Sequence, residues 1–283
     1  MGGRNLCCGF LSQPYPEVHR SMQKFLHLRS LGFTLLFFIV SCQTQTIPVI
    51  PNVKPEMPSL PSLFSQLKAR QSSIRDIKSF LNTKVSGEYI NYSFRQALLV
   101  RGEEAIRVDT YNLFRQVLGV LIYEGGKTLM YYPRSNRVVY EEKVRDTMRQ
   151  VMGTHIDLRE YISVFSGGIP RLPYLQARAA EWNSDQTIYR IEAVDQETGE
   201  QVDIDIDAYT MLPKSMSLTR GVKEIYRVYW DDYQNVDQWN FAHKVTIEHE
   251  GKNDAVIMEY IDPAINQGID PSAFQLAPAL KNR

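Results

Sequence analysis

The chain has 283 residues, and its 32 Lys and Arg balance 32 Asp and Glu at a formal net charge of zero. That balance excludes a nucleic-acid binder acting through bulk charge, since such domains carry a clear basic excess. A hydrophobic content of 43% excludes a chain disordered throughout, and 16 Tyr with 12 Phe lean toward β-structure.

The first element in chain order is the apolar run 31–40, Leu-Gly-Phe-Thr-Leu-Leu-Phe-Phe-Ile-Val. It is far shorter than the roughly 20 residues that span a bilayer as a helix. Lys24 and Arg29 precede it and Ser41 and Cys42 follow it, the layout of a secretory signal peptide. Residues 39–42 resemble the lipobox of bacterial lipoproteins, in which the cysteine becomes the acylated mature N-terminus. Cys42 is therefore the expected lipid anchor. The competing reading is a short buried helix with Cys42 as a small hydrophobe. Against it stand Pro48, Pro51, Pro55, Pro58 and Pro61, which favour an extended tether over 42–61. Met22 opens a conventional signal peptide, so the translated chain starts at Met1 or at Met22. The chain's three cysteines are Cys7, Cys8 and Cys42, so beyond the anchor there is no disulfide framework and no sulfur-based metal site. Gln43 stands where inner-membrane lipoproteins of Gram-negative bacteria typically carry Asp; by that resemblance the outer membrane, facing the periplasm, is the expected location. Residues 1–41 hold Arg4, Arg20, Lys24 and Arg29 against Glu17, so the remainder is mildly acidic and offers no bulk attraction to anionic lipid.

The folded domain is expected over 62–283. Leu63, Phe64, Leu67, Ile74, Ile77, Phe80 and Leu81 recur every three or four residues, which predicts an amphipathic helix over 62–82 with Ser62 as its N-cap. Strands are predicted at 84–92, 93–101, 105–111, 117–123, 127–132 and 137–141. Helical segments follow at 142–152 and 157–165, the second stopped by Ser166-Gly167-Gly168-Ile169-Pro170. Strands resume at 174–182, 187–194, 201–207, 213–219, 222–231, 244–250 and 255–261. No strand–helix–strand alternation is present, so the fold class is mainly β: one large antiparallel sheet, with no second domain. The runs 117–122 and 255–258 are apolar on both faces, so both faces must be covered. Either one face packs on helices while the other lines an apolar cavity, or the core is filled.

Chemistry-bearing patterns are few. Asp203, Asp205 and Asp207 open like a calcium loop, but Ala208 replaces the required Gly and Lys214 the closing Glu, so a solvated strand face is expected. His155, His243 and His249 form no metal motif, and no serine-hydrolase elbow, P-loop or dinucleotide fingerprint occurs. The expectation is a non-enzymatic protein without cofactor or metal. Between two strands lies Asn112-Leu113-Phe114-Arg115-Gln116, whose apolar pair either folds back onto the body or projects toward a bilayer or a partner's cavity.

Taken together, these residues resemble the LolB outer-membrane lipoprotein receptors and the related LolA periplasmic carriers. The segment 107–114 is similar to the LolB strand that ends in an Asn-Pro-Leu-Gly loop. Residues 152–162 followed by 166–170 resemble the family's central helical segment and the turn behind it, and 266–276 resembles its C-terminal pattern. The resemblance implies an unclosed antiparallel barrel, covered by helices, that encloses an apolar cavity for acyl chains. It also implies that Phe114 matches the loop Leu through which LolB inserts its cargo, with Leu113 in place of the Pro and Arg115 in place of the Gly. The expected function is a monomeric, Cys42-anchored receptor that accepts acylated lipoproteins, with a LolA-like carrier as a possible donor, and delivers them to the outer membrane. A binder of another lipid or glycolipid, and a structural envelope-assembly factor with a filled core, remain open.

Overall fold

The computed structural model describes residues 56–87, 91–152, 158–249 and 254–276. Cys42 and the signal segment lie outside these described residues. By its internal contacts Pro55–Arg283 is one compact unit.

The first element departs from expectation. Helix α1 covers Leu60–Ser73, with Ser59 at its N-cap and Pro61 in its first turn, and strand β1 already runs Asp76–Ser86 where a helix was expected to continue to residue 82. The three- and four-residue spacing misled because Ile77 and Leu81, four apart, share a face in a strand as well as in a helix. The strand alternation is plain once the polar positions count: Ile77, Ser79, Leu81, Thr83 and Val85 are buried while Phe80, Asn82 and Lys84 are exposed. The boundary expected between residues 92 and 93 lies earlier: β1 ends at Ser86 and β2 begins at Asn91, running to Arg101.

The remaining strands are β3 (Ala105–Tyr111), β4 (Val117–Glu124), β5 (Lys127–Tyr132), β6 (Arg137–Tyr140), β7 (Leu175–Trp182), β8 (Ile188–Asp195), β9 (Gln201–Asp207), β10 (Pro213–Arg220), β11 (Lys223–Val236), β12 (Trp239–His249) and β13 (Asp254–Ile265). The last three run five residues longer at 236, five earlier at 239 and four longer at 265 than their apolar runs predict. Helices α2 (Glu142–Met152) and α3 (Leu158–Phe165) lie between β6 and β7.

All thirteen strands form one antiparallel sheet in the order β6-β5-β4-β3-β2-β1-β13-β12-β11-β10-β9-β8-β7. The first and last strands meet in the middle, with Leu81 opposite Tyr260, so the free edges are β6 and β7. The sheet is therefore not closed, and the α2–α3 connection has to run from one free edge to the other. Because every neighbouring pair is antiparallel, hairpin turns alternate between two rims. One rim carries the turns 112–116, 133–136 and 221–222; the opposite rim carries 102–104, 125–126 and 237–238.

The inner face packs on the helices. Leu63, Phe64 and Leu67 of α1 and Leu158, Ile162 and Phe165 of α3 join Ile77, Leu98, Ile204, Trp230 and Phe241 of the sheet in one buried cluster. The two-faced run in β4 has a different partner from the cavity considered above. Leu121 and Tyr123 face the helices, whereas Val120 and Ile122 pack outward with Tyr131 beneath Phe274 and Leu276 of the C-terminal segment. That segment is pinned where the Arg107 guanidinium donates to the Ala273 carbonyl at 2.8 Å and Arg101 lies 4.8 Å from the Phe274 ring centre. Burying Phe274 contributes about 1.5–3 kcal/mol. On β9, Val202, Ile204 and Ile206 are fully buried, and on the opposite face Asp205 accepts from Arg190 at 2.9 Å, as expected for a strand with one solvated face.

Candidate functional site

The inner face and its helical cover come first. α1 carries its apolar stripe inward and holds the turn after α3 with polar side chains. The Gln71 carboxamide oxygen accepts from the Ile169 amide at 2.9 Å, while Arg70 donates to the Asn240 carbonyl at 2.9 Å and the Gly167 carbonyl at 3.4 Å. Burial lowers the Arg70 pKa, with the nearby Tyr233 opposing. The two glycines predicted to stop α3 have a second role. Gly167 has φ +70 and a Cβ there would sit 3.0 Å from the Phe241 ring, while a Cβ on Gly168 would lie 2.8 Å from the Gln71 side chain. Small residues at this turn let α1 and the sheet approach it closely. From β13, the Tyr260 hydroxyl donates to the Phe165 carbonyl at 3.0 Å inside the interior, and burial raises its pKa far above the ordinary phenol value.

Two polar features sit on this inner face. Thr83, Gln96 and Thr110 form a ladder across β1, β2 and β3, the Thr83 hydroxyl donating to Gln96 at 2.6 Å and the Gln96 amide donating to Thr110 at 3.0 Å. The indole N–H of Trp230, 1% exposed, has no acceptor among the described residues. A buried donor without a partner costs about 1–3 kcal/mol, which makes it a ready anchor for a carbonyl entering the interior. Neither feature was legible in the sequence, since nothing in the neighbours of Trp230 along the chain says that its ring faces inward.

A groove of about 890 Å³ runs along α1, bounded by Ala69 and Ile74, by Leu172 and Pro173 behind α3, and by Arg101 and Glu103 of the β2–β3 turn. Beside Leu172 in the chain, Arg171 forms a clip to the end of β8. Arg171 grips Asp195 with two guanidinium nitrogens and reaches Glu197 at 2.8 Å. Burial pushes the Asp195 carboxyl up, but hydrogen bonds from Arg171 and from the Thr198 and Glu197 amides outweigh it, leaving the pKa below the ordinary value.

The loop between β3 and β4 is built the opposite way. Asn112 organises it from within: its side-chain oxygen accepts from the amides of Phe114 and Gln116, both at 2.9 Å, and the Arg115 amide donates to the Asn112 carbonyl at 3.0 Å. Arg115 adopts φ +61, the left-handed conformation that glycine takes most easily. With the polar groups satisfied inside the turn, Leu113 is 94% and Phe114 84% exposed. Tyr111 pairs with Val117 while Thr110 pairs with Gly119, so Leu118 bulges out unopposed and is also exposed.

Among the described residues no group of three or more His, Cys, Asp or Glu side chains is arranged to hold a metal, and no helix is long and apolar enough to cross a membrane.

No protein-family model matches the chain, and no curated protein does. Solved structures do match. A LolA superfamily protein from Nitrosomonas europaea superposes with a TM-score of 0.59 at 9% identity, over 78% of this chain and 99% of that one. A domain assigned to outer membrane lipoprotein sorting from Vibrio parahaemolyticus gives 0.56 at 10% identity, over 75% and 94%. A DUF1329 family protein from Desulfovibrio piger gives 0.57 at 10% identity, over 76% and 95%. The chain thus has the LolA-like fold that its residues resemble: a mainly β, unclosed antiparallel sheet covered by helices.

Proposed function

We propose that this protein is a non-enzymatic lipoprotein receptor of the bacterial outer membrane, anchored through an acylated Cys42, that takes acylated proteins onto its inner face and releases them into the bilayer. The observation that carries the reading is the projecting pair Leu113 and Phe114, two large apolar side chains held in water on a turn whose Phe114, Arg115 and Gln116 amides are all taken up by Asn112. Such a pair gains free energy on entering a membrane, and a protein tethered to that membrane holds it within reach. Acyl chains in transit must be shielded, at about 0.8 kcal/mol per CH₂. Apart from the Thr83–Gln96–Thr110 ladder and the Trp230 donor the inner face is apolar, and acyl chains entering it would take the place of core side chains that α1 and α3 now contribute. The Trp230 N–H would then receive an ester or amide carbonyl of the lipid. The likeness to a protein assigned to lipoprotein sorting supports the envelope setting.

The test is capture of a synthetic triacylated peptide by the purified chain, followed by transfer to vesicles. Phe114→Glu should capture normally and transfer poorly; failure of the unaltered chain to capture any acylated peptide would refute the reading. A second cargo class, a lipid with a polar head, is favoured by the Thr83–Gln96–Thr110 ladder on the same face. It predicts that the glycolipid competes with the peptide.

A further inference from the structure

The rim that holds Leu113 and Phe114 is also where exposed arginines gather. Arg115 is in the loop itself. Arg134 and Arg137 are in and beside the adjacent β5–β6 turn, and Arg95 sits on β2 opposite Tyr111 at the base of the loop. All four are exposed, and among the described residues none is paired with a carboxylate; Arg137 lies 5.2 Å from the Tyr132 ring centre, a contact that leaves its charge uncompensated. The turns 112–116 and 133–136 hold no acidic residue. Two strand spacings, roughly 10 Å, separate neighbouring hairpins, so these charges and the apolar pair form one patch.

The opposite rim of the same strands is acidic: Glu103, Glu104, Glu124, Glu141 and Glu142 outnumber Arg101 and Lys127. At about 3.3 Å per residue, the strands put more than about 20 Å between the rims at β2 and β3 and about 13 Å between Arg137 and Glu141 at the ends of the four-residue β6. Physiological salt screens charges beyond about 8 Å, so the acidic rim does not repel what the arginine rim touches. The rim over β2–β6 is thereby locally cationic.

We infer that this rim docks on a bilayer containing anionic phospholipid, with Leu113 and Phe114 entering the apolar layer and Arg95, Arg115, Arg134 and Arg137 meeting headgroup phosphates. The inference rests on the proposed membrane role of the loop and adds the lipid class and the orientation. Guanidinium groups suit phosphate because they offer forked donors at a charge that never titrates away. Each contributes about 1 kcal/mol near an anionic surface, or about fivefold in partitioning.

The experiment uses the full chain with Cys42→Ser, so that no acyl anchor masks the rim, and measures cosedimentation with vesicles of phosphatidylcholine alone or with one third phosphatidylglycerol. Binding to the anionic vesicles should be tighter and should weaken with salt. Arg134→Gln with Arg137→Gln should weaken it about 25-fold, at unchanged thermal stability, whereas Glu103→Gln with Glu104→Gln should leave it unaltered. Equal binding to both vesicle types, or no change in the arginine double variant, overturns the docking. Capture of the triacylated peptide, measured on the same samples, separates the two ideas. Capture without anionic preference sinks only the docking, and anionic preference without capture sinks only the receptor reading.

Discussion

The seam between α1 and the turn 166–174 and the loop 112–116 both rely on side chains that satisfy backbone groups, yet they put their apolar residues on opposite sides. At the seam, Gln71 and Arg70 hold the turn from outside while Leu63, Phe64 and Leu67 go inward, and two glycines remove the last steric barrier to contact. At the loop, Asn112 fills the inside of the turn and the apolar pair is left in water. The seam is therefore committed to stability, and the loop is free to be altered without unfolding the domain.

The largest expected effect is at the seam's clip. Arg171→Ala leaves the buried Asp195 without its guanidinium and should cost about 3 kcal/mol in urea unfolding at neutral pH. Because the folded Asp195 carboxyl titrates below its ordinary value near 3.9, the clip's contribution is complete above that value and is lost as pH falls through the lowered one. The gap between wild type and variant should accordingly shrink in acid; a gap that stays constant down to the most acidic folded condition would contradict this account of the clip.

Gly167→Ala follows, at about 2–3 kcal/mol, because the methyl group meets the Phe241 ring at a backbone angle that L-residues avoid. Calorimetry that finds the variant as stable as wild type would mean the ring has room to move. In the loop the sign reverses. Arg115→Gly relieves a left-handed residue and should stabilise by up to about 1 kcal/mol. Smallest in stability is Leu113→Ser with Phe114→Ser, within about 0.5 kcal/mol of wild type, although vesicle transfer should fall sharply. A large loss of stability there would show that the pair packs on the body after all.

Much of the architecture was legible in advance. Roughly a dozen short apolar runs, most with turn residues between them, and no strand–helix alternation pointed to one antiparallel sheet, which is what forms. The boundary after Ser73 was not legible, since Ile77 and Leu81 satisfy both periods and only pairing with Tyr260 and Gln96 decides between them. The extension of β12 back to Trp239 was hidden for a related reason: strand pairing is a contact with another part of the chain, and its partner in β11 continues to Val236.

By itself the sequence determined the class of fold, the loop with its apolar pair and the local chemistry of each turn, because these depend on residues near one another along the chain. Tertiary structure alone decided that Phe274 and Leu276 cover the outer face of β4 and that Trp230 carries an unpartnered donor in the interior. It alone decided, too, that over β2–β6 Arg95, Arg115, Arg134 and Arg137 share one rim while Glu103, Glu104, Glu124, Glu141 and Glu142 share the other. The physical reason is the antiparallel meander: each reversal of the chain sends alternate turns to opposite ends, so charges that cancel along the sequence are sorted in space.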